Sequence, residues 1–352
     1  MRRVTSRHDR ASRLRGSSPL AFAGVGASEQ FTAIAARVNN WGRWGADDEL
    51  GTLNLITDDV RRRAAACVQS GRAFPLGLAL SEAEGIQKGI VPGRFNPVRT
   101  MSYVNVPLSD DPEWICANED VIVMPLQCAT HWDGLAHVSY AGKLYNGNPA
   151  SSVTSAGASR LGIHLVHSLL SRGVLLDVAR AKGVDVLDGG YAITPADLDA
   201  AVALAHVEVE PGDIVLVRTG QMKHLGLPGR FPAGGATVPL ANMLRFADVI
   251  TYMGFSPGLS MSTAEWFHRH DVAAVATDTM ALEVVPCEDA AVYLPVHLLH
   301  LVEMGMTQGQ NWMLDELAAD CAQDGQYTFL LDASPLPITN GLGSPLNPIA
   351  VK

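Results

Sequence analysis

The sequence has few of the features that mark membrane proteins or nucleic-acid-binding proteins. No uninterrupted apolar run reaches the ~18 residues needed to cross a bilayer. The formal net charge is −10, and phosphate contacts require clustered Lys and Arg, so a nucleic-acid partner is not expected. Gly-rich phosphate loops, GxSxG elbows and P-loops are also missing. What remains is an acidic, soluble protein whose partner is expected to be a small molecule.

Cysteine is scarce as well. The chain has five, an odd number, widely spaced and without a CxxC pair: Cys67, Cys116, Cys128, Cys287 and Cys321. This pattern excludes a disulfide framework and a zinc ribbon. We therefore predict reduced thiols and a cytoplasmic protein.

Basic residues are concentrated at the N-terminus, where six arginines stand against the single acid Asp9 in the first 28 residues. The apolar run that follows, Pro19 to Val25, is short and rich in Gly and Ala, which is weak for a targeting signal. We predict that residues 1–30 form a flexible basic tail.

The body of the chain contains short, β-branched apolar runs. Each has four to six residues, the pattern of strands buried on both faces. The predicted strands are Val121–Leu126, Val174–Val178, Ile214–Val217, Val249–Met253, Val272–Thr277 and Thr328–Leu331. Gly/Pro-rich segments at Ile90–Pro97 and Leu225–Ala236 predict surface loops.

Helix signals lie between some of these strands. Thr194-Pro195-Ala196-Asp197 has an N-cap residue, a proline at the first helical position and an acid in the first turn. Ser262-Thr263-Ala264-Glu265 predicts a capping box, and a third helix is predicted from Pro295 to Met304. Strands that alternate with helices predict an α/β layered domain.

The densest group of metal-binding residue types follows the first predicted strand. Because alternate residues of an extended segment point the same way, Gln127, His131 and Asp133 are expected to share a face. Imidazole, carboxylate and carboxamide oxygen make a mixed N/O site suited to Zn²⁺ or Mn²⁺. His137, six residues beyond His131, is close enough to act as a general base or as a further ligand. The alternative is that the His and Asp of an HxD pair have no function beyond the interaction between their own side chains.

The segment Thr130-His131-x-Asp133-x-x-x-His137 resembles the HxGTHxDxPxH signature of the metal-dependent cyclase family, which includes bacterial kynurenine formamidase and isatin hydrolase. The resemblance is closest to the longer branch of that family. It extends to Trp44–Asn54, Gly142–Gly147, Val272–Asp278 and Pro335–Ile349. It therefore covers the chain from about residue 40 to the end.

The resemblance implies a swivelling-type β/β/α domain with a mixed, partly barrel-like sheet flanked by helices. Residues 31–352 would form one catalytic domain, in which residues 31–60 are an N-terminal arm. His131 and Asp133 match the metal-binding residues of the signature, and His137 matches its catalytic acid/base. His297, in Leu294-Pro295-Val296-His297, matches a histidine that reaches the metal or the substrate.

Two positions depart from the family pattern. Gln127 replaces the first histidine of the signature, and Gln310 stands about where formamidases place a bridging glutamate. Losing an imidazole and a carboxylate argues against a binuclear site, because two dications need anionic bridging ligands. The expectation is one divalent ion, Mn²⁺ or Zn²⁺, held by His131, Asp133 and one or both of these glutamines, which resembles the mononuclear arrangement of isatin hydrolase.

Several polar and aromatic residues near the motif are candidates for binding the substrate. Trp132 can stack on a flat substrate or pack in the core, and Trp44 can form a lid or pack. Tyr140, Tyr145 and Asn146 lie just downstream of the motif and are candidates for orienting the substrate.

These residues predict a metal-dependent hydrolase that cleaves a non-peptide C–N or C–O bond in a cyclic amide, lactone or N-acyl aromatic compound. Two alternatives stay open. One is a cyclase or dehydratase acting on a polyketide-like molecule, and the other is a metal-poor binding or scaffold protein. The family resemblance also implies a homodimer or homotetramer.

Overall fold

The computed structural model describes residues 27–80, 94–225 and 255–352. Seven helices are described: α1 (Glu29–Val38), α2 (Asp58–Ala65), α3 (Val178–Ala181), α4 (Pro195–Ala205), α5 (Thr263–Arg269), α6 (Pro295–His297, continuing as a π-helix over Leu298–Met304) and α7 (Asp315–Asp324). Short 3₁₀ turns lie at Gly51–Leu55, Tyr145–Gly147, Ala150–Ser152, Ile163–Leu165 and Gln221–Leu225.

Nine strands form one mixed, curled sheet. They are β1 (Ala73–Pro75), β4 (His131–Asp133), β7 (Leu170–Asp177), β9 (Ile214–Arg218), β11 (Ala274–Thr277), β12 (Thr307–Gln310), β13 (Thr328–Asp332), β14 (Gly343–Pro345) and β15 (Ile349–Val351). Their order across the sheet is β1-β15-β13-β7-β9-β11-β12-β4-β14. The remaining strands form three separate pairs: β2 (Val98–Pro107) with β3 (Cys116–Val123), β5 (Val153–Thr154) with β6 (Gly157–Ala158), and β8 (Ala192–Ile193) with β10 (Gly258–Leu259).

The centre of the sheet is parallel and covered on both faces. Strands β7, β9, β11 and β12 run parallel to one another, whereas the flanking strands are antiparallel. Val215 and Val217 of β9 pack with helices α1, α4 and α5, while Ile214 and Leu216 face a second core that includes residues of α7. This double coverage explains why β9 is apolar along its length. The mixed sheet flanked by helices confirms the fold class.

The segment expected to be an N-terminal arm packs on its own chain. Ser28 caps α1, and the backbone nitrogen of Asn40 donates to the carbonyl of Glu303 at 2.9 Å. Thr52 Oγ1 donates to the carbonyl of Ala273 at 2.7 Å. Helix α1 begins at Glu29, inside the predicted tail of residues 1–30, and residues 1–26 lie outside the described part of the chain.

The three predicted helices are present. Thr194 and Asp197 form a reciprocal capping box at the start of α4. Helix α5 begins at Thr263 as expected, but the predicted capping box is wrong, because Ser262 has helical dihedral angles and its hydroxyl makes no cap hydrogen bond. Helix α6 spans the predicted range, and its second half winds as a π-helix, a form often found at functional sites.

The prediction of a buried strand at Val121–Leu126 is wrong. The apolar run Val121–Leu126 was expected to be a buried strand, but strand β3 ends at Val123 and pairs only with β2 in an exposed hairpin. Four other predicted strands correspond to β7, β9, β11 and β13 of the central sheet. The predicted strand Val249–Met253 and most of the two predicted loops lie outside the described residues.

Helices in the described ranges are all too short or too polar to cross a membrane. All five cysteines are free thiols, as the sequence predicts.

Candidate metal and catalytic site

Strand β4 carries the two central residues of the site. It lies between β12 and β14 and pairs antiparallel with both. His131 and Asp133 face a cavity, whereas Trp132 between them points to the opposite side of the sheet. The shared face expected from the two-residue spacing is therefore present for this pair.

Asp133 is the centre around which three histidines gather. Its Oδ1 lies 3.6 Å from Nε2 of His131 and 3.6 Å from Nε2 of His137, and its Oδ2 lies 3.7 Å from Nε2 of His297. The side chains of His131 and Asp133 are each only 2% exposed. A buried carboxylate thus meets imidazoles that come from β4, from the turn after it and from α6.

Hydrogen bonds fix which nitrogen of two histidines carries the proton. Nδ1 of His131 lies 2.9 Å from the carbonyl oxygen of Ala129, which can only accept, so this nitrogen must be the donor. In His297, Nδ1 donates to the carboxylate of Glu283. When these rings are neutral, each presents the lone pair of Nε2 to the Asp133 carboxylate, and such groups repel unless a cation lies between them.

The pairwise spacings fit such a cation. Two ligands at about 2.1 Å from a tetrahedral metal ion are about 3.4 Å apart, close to the observed 3.6 and 3.7 Å. Oδ1 of Asp133 also has no hydrogen-bond partner. Among the described residues, however, no group of three or more His, Cys, Asp and Glu side chains is already arranged to hold an ion. The donor set fits one divalent ion in chemistry and pairwise spacing, and a side-chain adjustment would have to bring three donors to one point.

The protonation states also fit metal binding. Burial lowers the pKa of His131 to about 4, so its imidazole is neutral at pH 7. Burial alone would raise the pKa of Asp133, but the charges of His137, His131 and His297 and the hydrogen bond from Gln310 outweigh it and lower the pKa to about 2. A neutral imidazole and an anionic carboxylate are the forms that bind cations.

His137 differs from the other two histidines in being more open to the cavity, with a side chain that is 19% exposed. A turn places it, with its backbone nitrogen donating to the carbonyl of Gly134 at 2.9 Å. Burial lowers the pKa of His137, and the nearby Asp133 carboxylate only partly offsets this. A neutral imidazole beside the ligand group can accept a proton from water, as a general base requires.

Gln310 lies on β12 directly opposite His131 and contributes to the cavity wall. Its Nε2 donates to Oδ2 of Asp133 at 2.8 Å, and its Oε1 is buried without a hydrogen-bond partner. As placed, the amide group holds the carboxylate in position and leaves one carboxamide oxygen free to bind a cation.

The cavity beside these residues has a volume of about 430 Å³. Its floor is His131, Asp133, His137, His297 and Gln310, and much of its wall comes from the segment between α5 and α6. That wall is largely apolar, with Met280, Ala281, Val285, Pro286, Val292 and Leu294. Such a space fits a small, partly apolar molecule.

Comparison with known proteins identifies the family. The sequence profile of the family described as "Putative cyclase" matches residues 82–284. A crystal structure described as a novel cyclase is 38% identical in sequence and superposes with a TM-score of 0.76. The match covers 90% of this chain and 99% of the chain in that structure. This chain belongs to the cyclase family.

Two more distant solved structures share the fold. Isatin hydrolase A from Ralstonia solanacearum is 18% identical with a TM-score of 0.52, and the match covers 79% of this chain and 91% of that one. An isatin hydrolase bound to the product analogue thioisatinate is 16% identical with a TM-score of 0.51, with the same coverage. No curated protein matches the sequence.

Gln127 is not where its spacing predicts. The prediction assumed a chain extended from the preceding strand to Asp133, but residues 126–130 turn, and Ala129 has a φ of 54°. The alternation is therefore broken, and Gln127 does not line the cavity. Its Nε2 is buried without a hydrogen-bond partner, next to Gly343 of β14.

Trp132 is a core residue in this cyclase-family protein, and the prediction that it stacks on the substrate is wrong. It is fully buried, and its indole nitrogen donates to the carbonyl of Ala333 at 2.7 Å. Its ring packs against Trp312 with centroids 4.9 Å apart. Gly309 opposite Trp132 makes this possible, since a Cβ there would lie 2.7 Å from the Trp132 ring.

The other four predicted substrate residues also lie away from the cavity. Tyr140 donates to the carboxylate of Glu303, and the hydroxyl of Tyr145 donates to Asp48 Oδ2 at 3.0 Å. Asn146 accepts from the backbone nitrogen of Gly42 and donates to carbonyls of the same N-terminal segment. Trp44 packs under the guanidinium of Arg43. The contacts of Tyr145 and Asn146 fasten the N-terminal segment to the domain.

Glu283 is a site residue that the sequence reasoning missed. It is buried, and its carboxylate accepts from Nδ1 of His297 and from the backbone nitrogens of Val296 and His297 at 3.1 and 3.2 Å. The signal was an acid inside the apolar run Ala281–Val285, where an unpaired charge is costly and therefore implies a buried partner.

Proposed function

We propose that this protein is a metal-dependent hydrolase that cleaves a non-peptide C–N or C–O bond in a cyclic amide, a lactone or an N-acyl aromatic compound. The observation that carries the proposal is the lone-pair geometry around Asp133. Two imidazoles whose Nδ1 positions are already engaged direct Nε2 toward one buried carboxylate, an arrangement that a divalent cation would stabilise.

The residues that would hold one Mn²⁺ or Zn²⁺ are His131, Asp133 and His297, with Gln310 as the fourth donor. Such an ion would supply polarisation of the scissile carbonyl and acidification of the attacking water. Imidazole and carboxylate donors are compatible with both metals.

His137 is the general base of this proposal. Its Nε2 lies within 3.6 Å of Asp133, at the floor of the cavity, so it can accept the proton of the attacking water. The same nitrogen then returns the proton to the leaving nitrogen or oxygen, which balances the reaction: substrate plus water gives a carboxylic acid and an amine or alcohol. The apolar wall contributed by Val285, Pro286 and Leu294 would hold the organic part of the substrate.

The test has two measurements. Elemental analysis after gentle purification should find about one Mn or Zn per chain, whereas near-zero occupancy that persists with added metal would favour the scaffold alternative. Turnover in H₂¹⁸O by a panel of cyclic imides, lactones and N-acyl anilines should place one ¹⁸O in the product. A metal-dependent reaction that incorporates no label would favour the cyclase or dehydratase alternative.

We also propose that the protein is a homo-oligomer, with the β2–β3 hairpin as its interface. Nearly every residue of both strands is exposed. Eleven large apolar residues between Val98 and Val123 are exposed, including Trp114 at 80%. At these exposures they present on the order of 1,000 Å², against about 800 Å² per partner in a standard interface.

A second copy of the chain is the partner proposed for this hairpin. An isolated two-stranded hairpin is marginal in water, and its open edges are templates for pairing with another strand. A twofold axis would let two identical hairpins cover each other.

The five free thiols further support a reducing compartment such as the cytoplasm.

A further inference from the structure

Arg94 places a positive charge in the cavity. Among the described residues that line it, Arg94 is the one Lys or Arg side chain. The two lining carboxylates have partners other than Arg94: Asp133 accepts from Gln310 through Oδ2, and Asp289 accepts from Ser28 and from the backbone nitrogen of Ala291. The guanidinium therefore has five donors beside an apolar wall and close to the catalytic floor.

The position of Arg94 is tied to the motif segment. The next residue, Phe95, offers its carbonyl oxygen to the thiol of Cys128 at 3.7 Å, three residues before His131. A guanidinium in a confined, partly apolar space is costly to leave without an anion.

We propose that Arg94 binds a carboxylate carried by the substrate away from the scissile bond, so that the enzyme selects acidic aromatic compounds. This inference rests on the proposed function. Arginine suits the role because its planar fork can donate two parallel hydrogen bonds to a carboxylate, and the low-dielectric wall strengthens that pairing. A neutral ring of the same shape would leave the guanidinium unpaired and bind more weakly.

The first test measures binding and needs no turnover. Calorimetric titration of the metal-loaded protein with benzoate and with the neutral isostere benzamide should show preference for benzoate. R94Q should weaken benzoate binding by about 10- to 100-fold, the scale of a charge-assisted pair, and leave benzamide binding unchanged. The control is R62Q, because Arg62 is an arginine on α2, outside the cavity and the hairpin, whose side chain is 72% exposed.

A carboxylate can also bind directly to the metal, so metal content is matched between the variants before titration. Unchanged benzoate affinity in R94Q would overturn the proposal, and so would an equal loss for benzoate and benzamide, which would indicate a damaged cavity. Both results stand whether or not the protein is a hydrolase.

The second test uses kinetics. For an N-acyl aminobenzoate and its methyl ester, the wild type should favour the acid in kcat/KM. R94Q should remove that preference mainly through KM, whereas R62Q should keep it. Equal kcat/KM for the acid and the ester in the wild type would contradict the anion selectivity. Failure to hydrolyse either compound would count against the proposed function, while the binding titration would still decide the role of Arg94.

Discussion

The carboxylate of Glu283 binds His297 through two of its nitrogens, the imidazole Nδ1 and the backbone nitrogen, the latter at 3.2 Å. This contact fixes the tautomer in which Nε2 faces Asp133 at 3.7 Å. Under the proposed function His297 is a metal ligand, and a buried anion that holds such a histidine strengthens its binding to the metal, so a residue outside the ligand group would influence metal affinity.

Glu283→Gln should therefore weaken metal binding by about 10- to 100-fold while the fold is retained, because the amide keeps the shape but loses the charge. Metal affinity is measured by competition with a chelator. Glu265→Gln is the control, since Glu265 is a partly exposed residue paired with Arg37. Equal affinities in wild type and Glu283→Gln would show that His297 does not bind the metal.

Replacing the proposed base and the central ligand should have different effects. His137→Ala should lower kcat by about 10²- to 10⁴-fold, the contribution of a general base, with metal content nearly intact. Asp133→Ala should lose both metal and activity, because Asp133 faces all three histidines. Elemental analysis and steady-state kinetics check both, with His164→Ala as the control outside the cavity. Full metal content and normal activity in Asp133→Ala would refute the ligand assignment.

The pH dependence of activity should follow His137. A general base works only when neutral, so kcat/KM falls as the pH drops through the pKa of the group. Because burial lowers the pKa of His137 from its ordinary value of 6.5, the acid limb should lie below pH 6.5. A pH profile of kcat/KM measures this limb, and His137→Ala should remove it from the residual activity. An acid limb above pH 7 would point to another base.

Gln310→Glu should make the free energy of unfolding depend on whether a metal ion is bound. The new carboxylate would replace an amide that lies 2.8 Å from Oδ2 of Asp133, so two buried anions would meet when no cation is present. The metal-free variant should lose roughly 1–3 kcal/mol of unfolding free energy, and added Mn²⁺ or Zn²⁺ should restore it. Thermal unfolding with chelator and with metal shows the difference. If metal raises the midpoint of the variant no more than that of the wild type, Gln310 is not at the ion site.

The oligomer should depend on the hairpin. Trp114→Ser combined with Ile122→Lys removes one large apolar side chain and places a charge on β3, so the assembly should dissociate toward monomer. Sedimentation velocity measures the change. Leu336→Ser is the control, because Leu336 is an exposed apolar residue, 52% accessible, elsewhere on the surface. A wild type that is monomeric at micromolar concentration would contradict the interface directly.

Local patterns were sufficient for the centre of the fold and for part of the site. Strand β9 was visible from its unbroken apolar run, and α4 from its Thr194 cap, because both signals depend on neighbours in sequence. His131, Asp133 and His137 were found by spacing and by family resemblance, and the structure brings them together around one cavity.

What the sequence could not provide depends on long-range contacts. Gln127 was misplaced because a single left-handed residue, Ala129, ends the extended alternation. Trp132 was ambiguous because its packing is decided by Trp312 and Gly309, which are far away in sequence. Val121–Leu126 was mistaken for an interior strand because an apolar run looks the same whether it is covered within one chain or left exposed on a hairpin.

Strand β4 is hydrogen-bonded on both sides and is only three residues long. Deleting or inserting one residue just before it, or slipping its register by one position, would exchange its two faces. The indole of Trp132 would then enter the cavity, while His131 and Asp133 would be driven into an apolar interior where neither could hold an ion. Length changes between Ala129 and His131 should therefore abolish the site completely instead of weakening it by degrees.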